Sequence, residues 1–316
     1  MKKLLFQLSE SIRESVRPWV LEARGGEVVG RAHSGDATFR VDEVAEDRLL
    51  EFLQESHLRI ACFSEDKGLV LPRSAKPEWL LIVDPIDGSR NAKSGFEGCM
   101  VSLAIAPYRD DVTLADVSCG LLREIVGENI FYAEKGQSAE ILADGNPKKP
   151  VLSSITSFDL LRWSLTVPGR PASLIFGLTA DLIDSCSVKG GFFSCNSTCY
   201  SISRILTGQL DAYLDIANRI ARDFPQTEFL FRRIAGGRLT GFSSYDIAAA
   251  HLIAKQAGII ISDAYGRPLD DMKIFDASPE NLRSCVAAAN MELYEKLLDY
   301  IEERMASFRP DVDSFR

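Results

Sequence analysis

Residues 79–89 read WLLIVDPIDGS, and this stretch decides the fold more than any other part of the chain. Its apolar start predicts a buried β-strand that ends at Asp84. In α/β proteins ligands bind at the carboxyl ends of strands, and the proline and glycine that follow permit a tight turn there. The turn can direct Asp84, Asp87 and the Ile86 carbonyl at one point, an all-oxygen set that suits magnesium. A turn that only connects two strands explains the pattern equally well.

Two other acidic segments are candidates for the same place. Glu65 lies in Ser64-Glu65-Asp66, directly after the short apolar run at residues 58–63. Asp246 opens the alanine-rich segment DIAAAHLIAKQA, where an aspartate is a favoured helix N-cap. A helix N-terminus favours anionic ligands, and its aspartate can bind metal at the same time. The alternatives are a solvated acidic turn at Glu65 and a plain capping residue at Asp246.

Strand-like and helix-like segments alternate along the chain, which predicts a layered α/β protein. The turn-rich sequence DGNPKKP at 144–150 predicts the junction between an N-terminal half, 1–148, and a C-terminal half, 149–316. Apolar residues at helical spacing predict an amphipathic helix at the N-terminus. Further predicted helices cover 41–56, 196–206, 246–257 and 291–305. Predicted strands cover 58–63, 79–83, 100–106, 116–122, 129–133, 164–167, 210–216, 258–262 and 282–289.

The composition narrows the class of partner. The 316 residues are 46% hydrophobic and 26% charged, which is ordinary for a globular protein. A net charge of −9 argues against nucleic acid or an anionic membrane as a partner. Seven scattered cysteines without a CxxC pattern, and only three histidines, argue against a zinc site. No apolar run reaches the length of a membrane span, so a soluble cytoplasmic protein with reduced thiols is expected.

Taken together, these segments resemble the inositol monophosphatase family, the lithium-sensitive magnesium phosphatases. That superfamily also includes fructose-1,6-bisphosphatases and 3′-phosphoadenosine-5′-phosphate phosphatases. The matching stretches are SED from Ser64, WLLIVDPIDGSRNAKSGFEGCMVSLAIA from Trp79 and YDIAAAHLIAKQAGIIISDAYGRPLD from Tyr245, with weaker matches at GDATFRVDEVAED from Gly35 and NSTCYSISRILTGQLDAYLD from Asn196. The archaeal-type branch is the most similar. The resemblance implies an alternating αβαβα sandwich, two or three Mg²⁺ ions and a homodimer.

The resemblance also implies metal ligands. Glu65, Asp84 and the Ile86 carbonyl would bind one ion, and Asp84, Asp87 and Asp246 a second. Glu65 and Asp87 would act in catalysis as well, and Asp246 would also contact the substrate.

Other residues would bind and orient the phosphate ester by the same resemblance. Gly88 and Ser89 would hold the phosphate, and the Ser89 hydroxyl stands where the family has an activating threonine. Asp42 would accept its proton. Ser197 would contact the substrate, and Asp215 stands where the family has an acid for a substrate hydroxyl.

The chain departs from the family pattern at two places. The Gly-x-Gly-Ala-Phe hairpin of the family is replaced by residues 134–139, EKGQSA. An insertion, residues 216–245, carries five arginines: Arg219, Arg222, Arg232, Arg233 and Arg238. It is interpreted either as a loop that selects a second phosphate or as a surface or dimer contact.

The expected function is hydrolysis of inositol monophosphate, fructose-1,6-bisphosphate or both by metal-activated water. One alternative is a phosphatase for 3′-phosphoadenosine-5′-phosphate, another nucleotide or histidinol phosphate. The alternative of another class is a catalytically silent binding or scaffold protein. Retention of the carboxylates and the Ser89 hydroxyl favours an enzyme.

Overall fold

The computed structural model describes residues 1–31, 37–56, 58–73, 76–237, 239 and 241–310. Gly35, at the start of one family-like stretch, and Arg238 lie outside these ranges.

The helices of the described residues are α1 Lys2–Leu21, α2 Arg40–Ser56, α3 Ser89–Lys93, α4 Ala172–Cys186, α5 Thr198–Leu206, α6 Ala217–Asp223, α7 Glu228–Ile234, α8 Ser244–Ala257 and α9 Met291–Ser307. The strands are β1 Val28–Arg31, β2 Ala37–Phe39, β3 Ile60–Ser64, β4 Gly68–Val70, β5 Trp79–Asp87, β6 Met100–Pro107, β7 Cys119–Glu124, β8 Ile130–Glu134, β9 Glu140–Ala143, β10 Asn146–Lys148, β11 Arg162–Leu165, β12 Gly191–Phe193, β13 Ala212–Asp215, β14 Ile260–Ser262 and β15 Cys285–Ala288.

Helices and sheets alternate in five layers, which confirms the predicted αβαβα sandwich. An eight-stranded sheet has the order β10-β9-β8-β7-β6-β5-β3-β4, and a five-stranded sheet has the order β12-β11-β13-β15-β14. Helices α1 and α2 cover the outer face of the larger sheet. Helices α5 and α8 fill the space between the sheets, and α4 and α9 cover the outer face of the smaller one. Each apolar face is thereby buried against another layer.

The side chains of α8 are small because this helix is closely packed on several sides. This helix contacts strands β5, β6, β7 and β8 on one side and α5 and β14 on others. At Gly120 the approach is so close that an added Cβ would lie 3.0 Å from the carbonyl oxygen of Ala249. An alanine-rich helix is therefore required at the centre of the molecule, because longer side chains would push the sheets apart.

The structure corrects two sequence-based boundaries. Strand β5 continues through Asp87 instead of ending at Asp84, because it keeps pairing with β6 beyond a bulge. Ser243, not Asp246, is the N-cap of α8. The DGNPKKP segment is largely a hairpin turn and the edge strand β10, which pairs with β9. The strands of the large sheet lie within residues 60–148, but α8 of the second half packs on them, so the division at 148/149 stays a prediction.

Nothing among the described helices combines the length and apolar character needed to cross a lipid bilayer. All seven cysteines are free thiols, and six of them are buried.

His251 on α8 makes stability depend on pH. Its side chain is only 2% exposed, and burial lowers its pKa to about 4, with Lys255 lowering it further and Asp270 opposing the shift. The unfolded chain therefore binds more protons than the folded one between pH 6.5 and 4, and stability is lost as pH falls through that window. Relative to pH 7, the loss should reach about 3 kcal/mol near pH 4.

We expect His251→Leu to remove this dependence. Urea unfolding of the variant and the parent at pH 7, 5.5 and 4.5 measures it. The difference in unfolding free energy between the two proteins cancels the contributions of the other titrating groups. A difference in unfolding free energy that stays constant with pH would contradict the assignment.

Candidate active site

The register of three strands brings the predicted acidic residues to one edge of the large sheet. Strand β3 pairs in parallel with β5 so that Ser64 lies beside Val83, which makes Glu65 the neighbour of Asp84. Parallel strands end at the same edge, so Glu65 and Asp84 meet there although they are nineteen positions apart in the sequence.

A β-bulge lets two aspartates of one strand serve the same pocket. Asp84 pairs with Ser102 and Asp87 with Met100, so β5 has one more residue than β6 in this interval. In a regular strand, residues three apart face opposite sides of the sheet. The extra residue cancels that alternation, as bulges next to active sites often do.

The turn that follows needs glycine. Gly88 has φ of +91°, and a Cβ there would lie 2.6 Å from the carbonyl oxygen of Gly98. Any side chain at this position would force the turn apart. The turn leads into the short helix α3, whose first residue, Ser89, donates a hydrogen bond from Oγ to the Ile86 carbonyl at 3.1 Å.

Asp87 ties the turn to the middle layer of helices. Its Oδ2 accepts a hydrogen bond from the Cys199 N–H at 2.7 Å and another from the Ser197 hydroxyl. Ser197 is the N-cap of α5, and its hydroxyl accepts a hydrogen bond from the Tyr200 N–H at 3.0 Å. Both contacts join groups more than a hundred residues apart.

Asp246 reaches the same place from the first turn of α8. Its Oδ2 accepts a hydrogen bond from the Ser243 N–H at 2.6 Å, which completes a capping box. The aspartate is thus both a structural group of the helix start and part of the pocket wall.

These elements enclose a polar cleft, here called the main pocket. Its acidic wall is formed by Glu65, Asp84, Ile86, Asp87 and Asp246, with Gly88, Ser89 and Ser197 beside it. Its other wall is formed by Arg90, Thr166, Pro168, Arg170, Asn196, Thr198, Gly241 and Phe242.

The carboxylates of the acidic wall repel one another. Asp84 is 3% exposed, and burial raises its pKa well above the ordinary range. The charges of Glu65, Asp87 and Asp246 raise it further. Burial also raises the pKa of Asp87, although hydrogen bonds from Ser197 and Cys199 oppose the shift. Such an arrangement is unfavourable without a positive partner.

The donor chemistry of this wall fits a hard divalent cation. Carboxylate and carbonyl oxygens are the ligands that magnesium prefers, and neither histidine nor cysteine takes part. In the described part of the chain, however, no three aspartate, glutamate, histidine or cysteine side chains already form a complete ligand set. A bound ion would therefore have to draw these side chains closer together.

A smaller cavity adjoins the main pocket and shares Glu65, Asp84, Ile86 and Ser89 with it. Its volume is about 20 Å³, room for roughly one water molecule. Asp42 lines it: Oδ2 accepts from the Phe39 N–H at 2.9 Å, and Oδ1 is buried without a hydrogen-bond partner. Burial raises the pKa of Asp42 to about 6, against the opposing effects of Phe39 and of the nearby Ser89 hydroxyl.

Glu46, which was not among the predicted site residues, also lines this cavity. It follows Asp42 by one helical turn on α2, is 1% exposed, and neither carboxylate oxygen makes a hydrogen bond of acceptable geometry. Burial raises its pKa to about 7, although Ser64 and the Asp66 backbone lie near enough to oppose the shift. Spacing of i, i+4 from Asp42 was the available signal, since it puts both acids on one helix face.

Asp215 does not line the main pocket. It is 1% exposed, and its Oδ2 accepts a hydrogen bond from Arg170 Nη2 at 2.5 Å. Arg170, which the sequence analysis also missed, stands at the pocket wall instead. Arg170 had no signal in sequence, because its loop approaches the pocket only through tertiary packing.

The arginines of the insertion are held in other contacts. Arg219 donates to the Ala264 carbonyl at 2.7 Å and pairs with Glu302. Arg222 donates to the Glu280 carbonyl at 2.9 Å. The remaining arginines do not line the main pocket where they are described, and Arg232 pairs with a glutamate of its own helix, Glu228. These contacts favour a structural role for the described arginines, whereas Gly241 and Phe242 of the same insertion line the main pocket.

Comparison with known proteins identifies the chain's relatives. The model of the inositol monophosphatase family matches residues 2–306. This chain belongs to the inositol monophosphatase family. It is 27% identical to a fructose-1,6-bisphosphatase/inositol-1-monophosphatase of Methanothermobacter thermautotrophicus, over 95% of this chain and 96% of that one. It is 23% identical to a bifunctional NADP phosphatase/NAD kinase of Methanococcus maripaludis, over 96% of this chain and 50% of that one.

Solved structures show the same fold. The SuhB protein of Bartonella henselae superposes with a TM-score of 0.69 at 15% identity, covering 96% of this chain and 98% of that one. An inositol monophosphatase–fructose 1,6-bisphosphatase gives a TM-score of 0.67 at 21% identity, covering 95% and 98%. Family membership makes the chain a phosphatase of small phosphorylated metabolites, in a family that is generally metal-dependent.

Proposed function

We propose that this phosphatase is a magnesium-dependent phosphomonoesterase that hydrolyses inositol monophosphate, fructose-1,6-bisphosphate or both. The observation that carries the proposal is the convergence of Glu65, Asp84, Asp87 and Asp246 on one pocket beside the Gly88–Ser89 turn. The names of the archaeal relatives support the choice of substrates.

Magnesium held by Glu65, Asp84, the Ile86 carbonyl, Asp87 and Asp246 would neutralise the phosphate dianion and lower the pKa of water in the site. With two or three ions bound, the acidic wall can accept an anionic substrate despite its own charge. The bound ions would thereby offset the repulsion between the carboxylates and the phosphate ester.

The chain's own residues would hold the ester and direct the proton. The backbone N–H groups at Gly88 and Ser89 are suited to phosphate oxygens, as in other glycine-containing phosphate loops. Asp42 has an unused carboxylate oxygen beside Ser89, so the pair can take a proton from a nucleophilic water. Ser197 keeps Asp87 oriented by donating its hydroxyl hydrogen.

We propose a cytoplasmic homodimer that is inhibited by lithium, as the family resemblance implies. Light scattering of the purified chain tests the dimer, and a lithium titration of its activity tests the inhibition.

A substrate panel tests the activity itself. Phosphate release is measured with and without magnesium on inositol-1-phosphate, fructose-1,6-bisphosphate, histidinol phosphate, 3′-phosphoadenosine-5′-phosphate and NADP. We expect magnesium-dependent turnover, with kcat/KM for one of the first two compounds above that for the other three. Preference for a nucleotide or for histidinol phosphate would support the alternative phosphatase. Absence of turnover on every ester would favour a silent binding protein.

A further inference from the structure

The substrate-binding wall of the main pocket presents a guanidinium where the family resemblance predicts an acid. Arg170 lies in the loop between β11 and α4, next to Pro168, and lines the pocket. Its Nη2 binds Asp215 at 2.5 Å and its Nη1 donates to the Pro168 carbonyl at 2.7 Å. Asp215 is thereby neutralised and withdrawn from the substrate, and the group that faces the pocket is a cation.

Arg170 retains unused donors. A guanidinium carries five N–H bonds, and the two contacts above occupy one on each terminal nitrogen. The Nε atom is buried and has no hydrogen-bond partner among the described residues, although the side chain is 11% exposed. One N–H on each terminal nitrogen also stays unpaired within the described part of the chain, so the guanidinium can still donate to a ligand in the pocket that it lines.

Another Arg–Asp pair at the same sheet shows how such a pair looks when it is only structural. Arg162 donates to Asp211 from Nη2 at 2.7 Å and from Nε at 3.2 Å, so both faces of its fork are used. It does not line the main pocket. Arg170 differs in two respects. It donates a hydrogen bond to Asp215 from only one of its nitrogens, and it lines the main pocket.

We propose that Arg170 binds a second anionic group of the substrate, a phosphoryl group remote from the one that is cleaved. The inference rests on the proposed phosphatase function and names the substrate class: phosphate esters with a second phosphate, in preference to neutral polyol monophosphates. Arginine suits this task because its planar fork matches phosphate oxygens, and because Asp215 holds it in one orientation. A second phosphate can come from a sugar bisphosphate or from a dinucleotide.

Two matched substrate pairs separate these sources. Fructose-1,6-bisphosphate is compared with fructose-1-phosphate, and adenosine 2′,5′-bisphosphate, which is the phosphorylated half of NADP, with 2′-AMP, so that the members of each pair differ only in the remote phosphate. The variants are Arg170→Gln combined with Asp215→Asn, which leaves no buried unpaired charge, and Arg170→Lys. Arg162→Gln combined with Asp211→Asn is the control, since it removes a similar pair away from the pocket.

We expect the Arg170→Gln/Asp215→Asn protein to lose roughly 10- to 100-fold of its preference for the doubly phosphorylated member of one pair. Arg170→Lys should retain part of it, and the control should leave the ratio unchanged. The pair that responds identifies the source of the second phosphate. Equal effects on both members of both pairs would overturn the proposal and leave Arg170 structural.

A binding measurement that does not depend on turnover distinguishes a failure of this inference from a failure of the proposed phosphatase function. Calorimetry measures the affinity for fructose-6-phosphate and for 5′-AMP, which lack the phosphate at the reacting position but keep the remote one. Weaker binding of either compound by the Arg170→Gln/Asp215→Asn protein supports the inference even if the parent releases no phosphate, whereas an inactive parent by itself contradicts only the proposed function. Unchanged binding of both compounds would overturn the inference even in an active enzyme.

Discussion

Replacing Asp87 by Asn is expected to lower kcat/KM by about 1000-fold or more while the protein remains folded. The substitution removes one negative charge from the wall that would hold magnesium, and such a loss removes several kcal/mol of transition-state stabilisation. The fold should persist because an amide oxygen can still accept the hydrogen bonds from Ser197 and Cys199. Phosphate release on the best substrate, together with thermal unfolding, measures both effects.

Asp263 supplies a matched control. Like Asp87 it is 6% exposed, and its carboxylate accepts two backbone N–H groups, those of Tyr265 and Arg267, each at 2.8 Å. It does not line the main pocket. Asp263→Asn should therefore cost comparable stability and leave kcat/KM nearly unchanged. Similar kinetic losses in the two variants, or near-normal turnover by Asp87→Asn, would show that the site is wrongly assigned.

Removing magnesium should abolish activity, and Asp84→Asn should separate activity from stability. Chelation takes away the charge that offsets four converging carboxylates, and added magnesium should restore turnover. In the metal-free protein, Asp84→Asn should raise Tm, because it removes a buried charge that Glu65, Asp87 and Asp246 repel. The amide oxygen can still accept the Ile86 N–H, which lies 3.0 Å from Asp84 Oδ1.

Thermal unfolding with and without magnesium tests this directly. Magnesium at a hundred times its Kd should stabilise the parent by about 2.7 kcal/mol, and the gain should be smaller in the variant. Asp84→Asn should also abolish turnover. Full activity after exhaustive chelation would exclude a magnesium enzyme, and a lower Tm of the metal-free variant would mean that Asp84 is stabilising as an anion.

Residues close in sequence could be interpreted without the structure. The apolar run before Asp84 and the alanine-rich run after Asp246 have periodicities that backbone geometry imposes. Gly88 had to be a glycine because the turn requires positive φ, and Gly258 ends α8 in the same left-handed conformation. These local features were sufficient to predict the layered fold and the acidic turn.

Contacts between residues that are distant in the chain could not be predicted from such local patterns. The bulge in β5 arises from pairing with β6, so the alignment of Asp87 with Asp84 could not be deduced from β5 alone. Ser243 became the cap of α8 because the helix begins two residues before Asp246, a boundary that local preference leaves open.

The sequence by itself determined which elements form and which acids stand at their ends, because strand and helix periodicity and turn chemistry are local properties. Only the tertiary structure decided which side chains line the pocket. It withdrew Asp215 behind Arg170 and brought Glu46 to the cavity beside Asp42. The physical reason is that side-chain direction and desolvation depend on neighbours distant in the chain, and one residue of register reverses which face a group occupies.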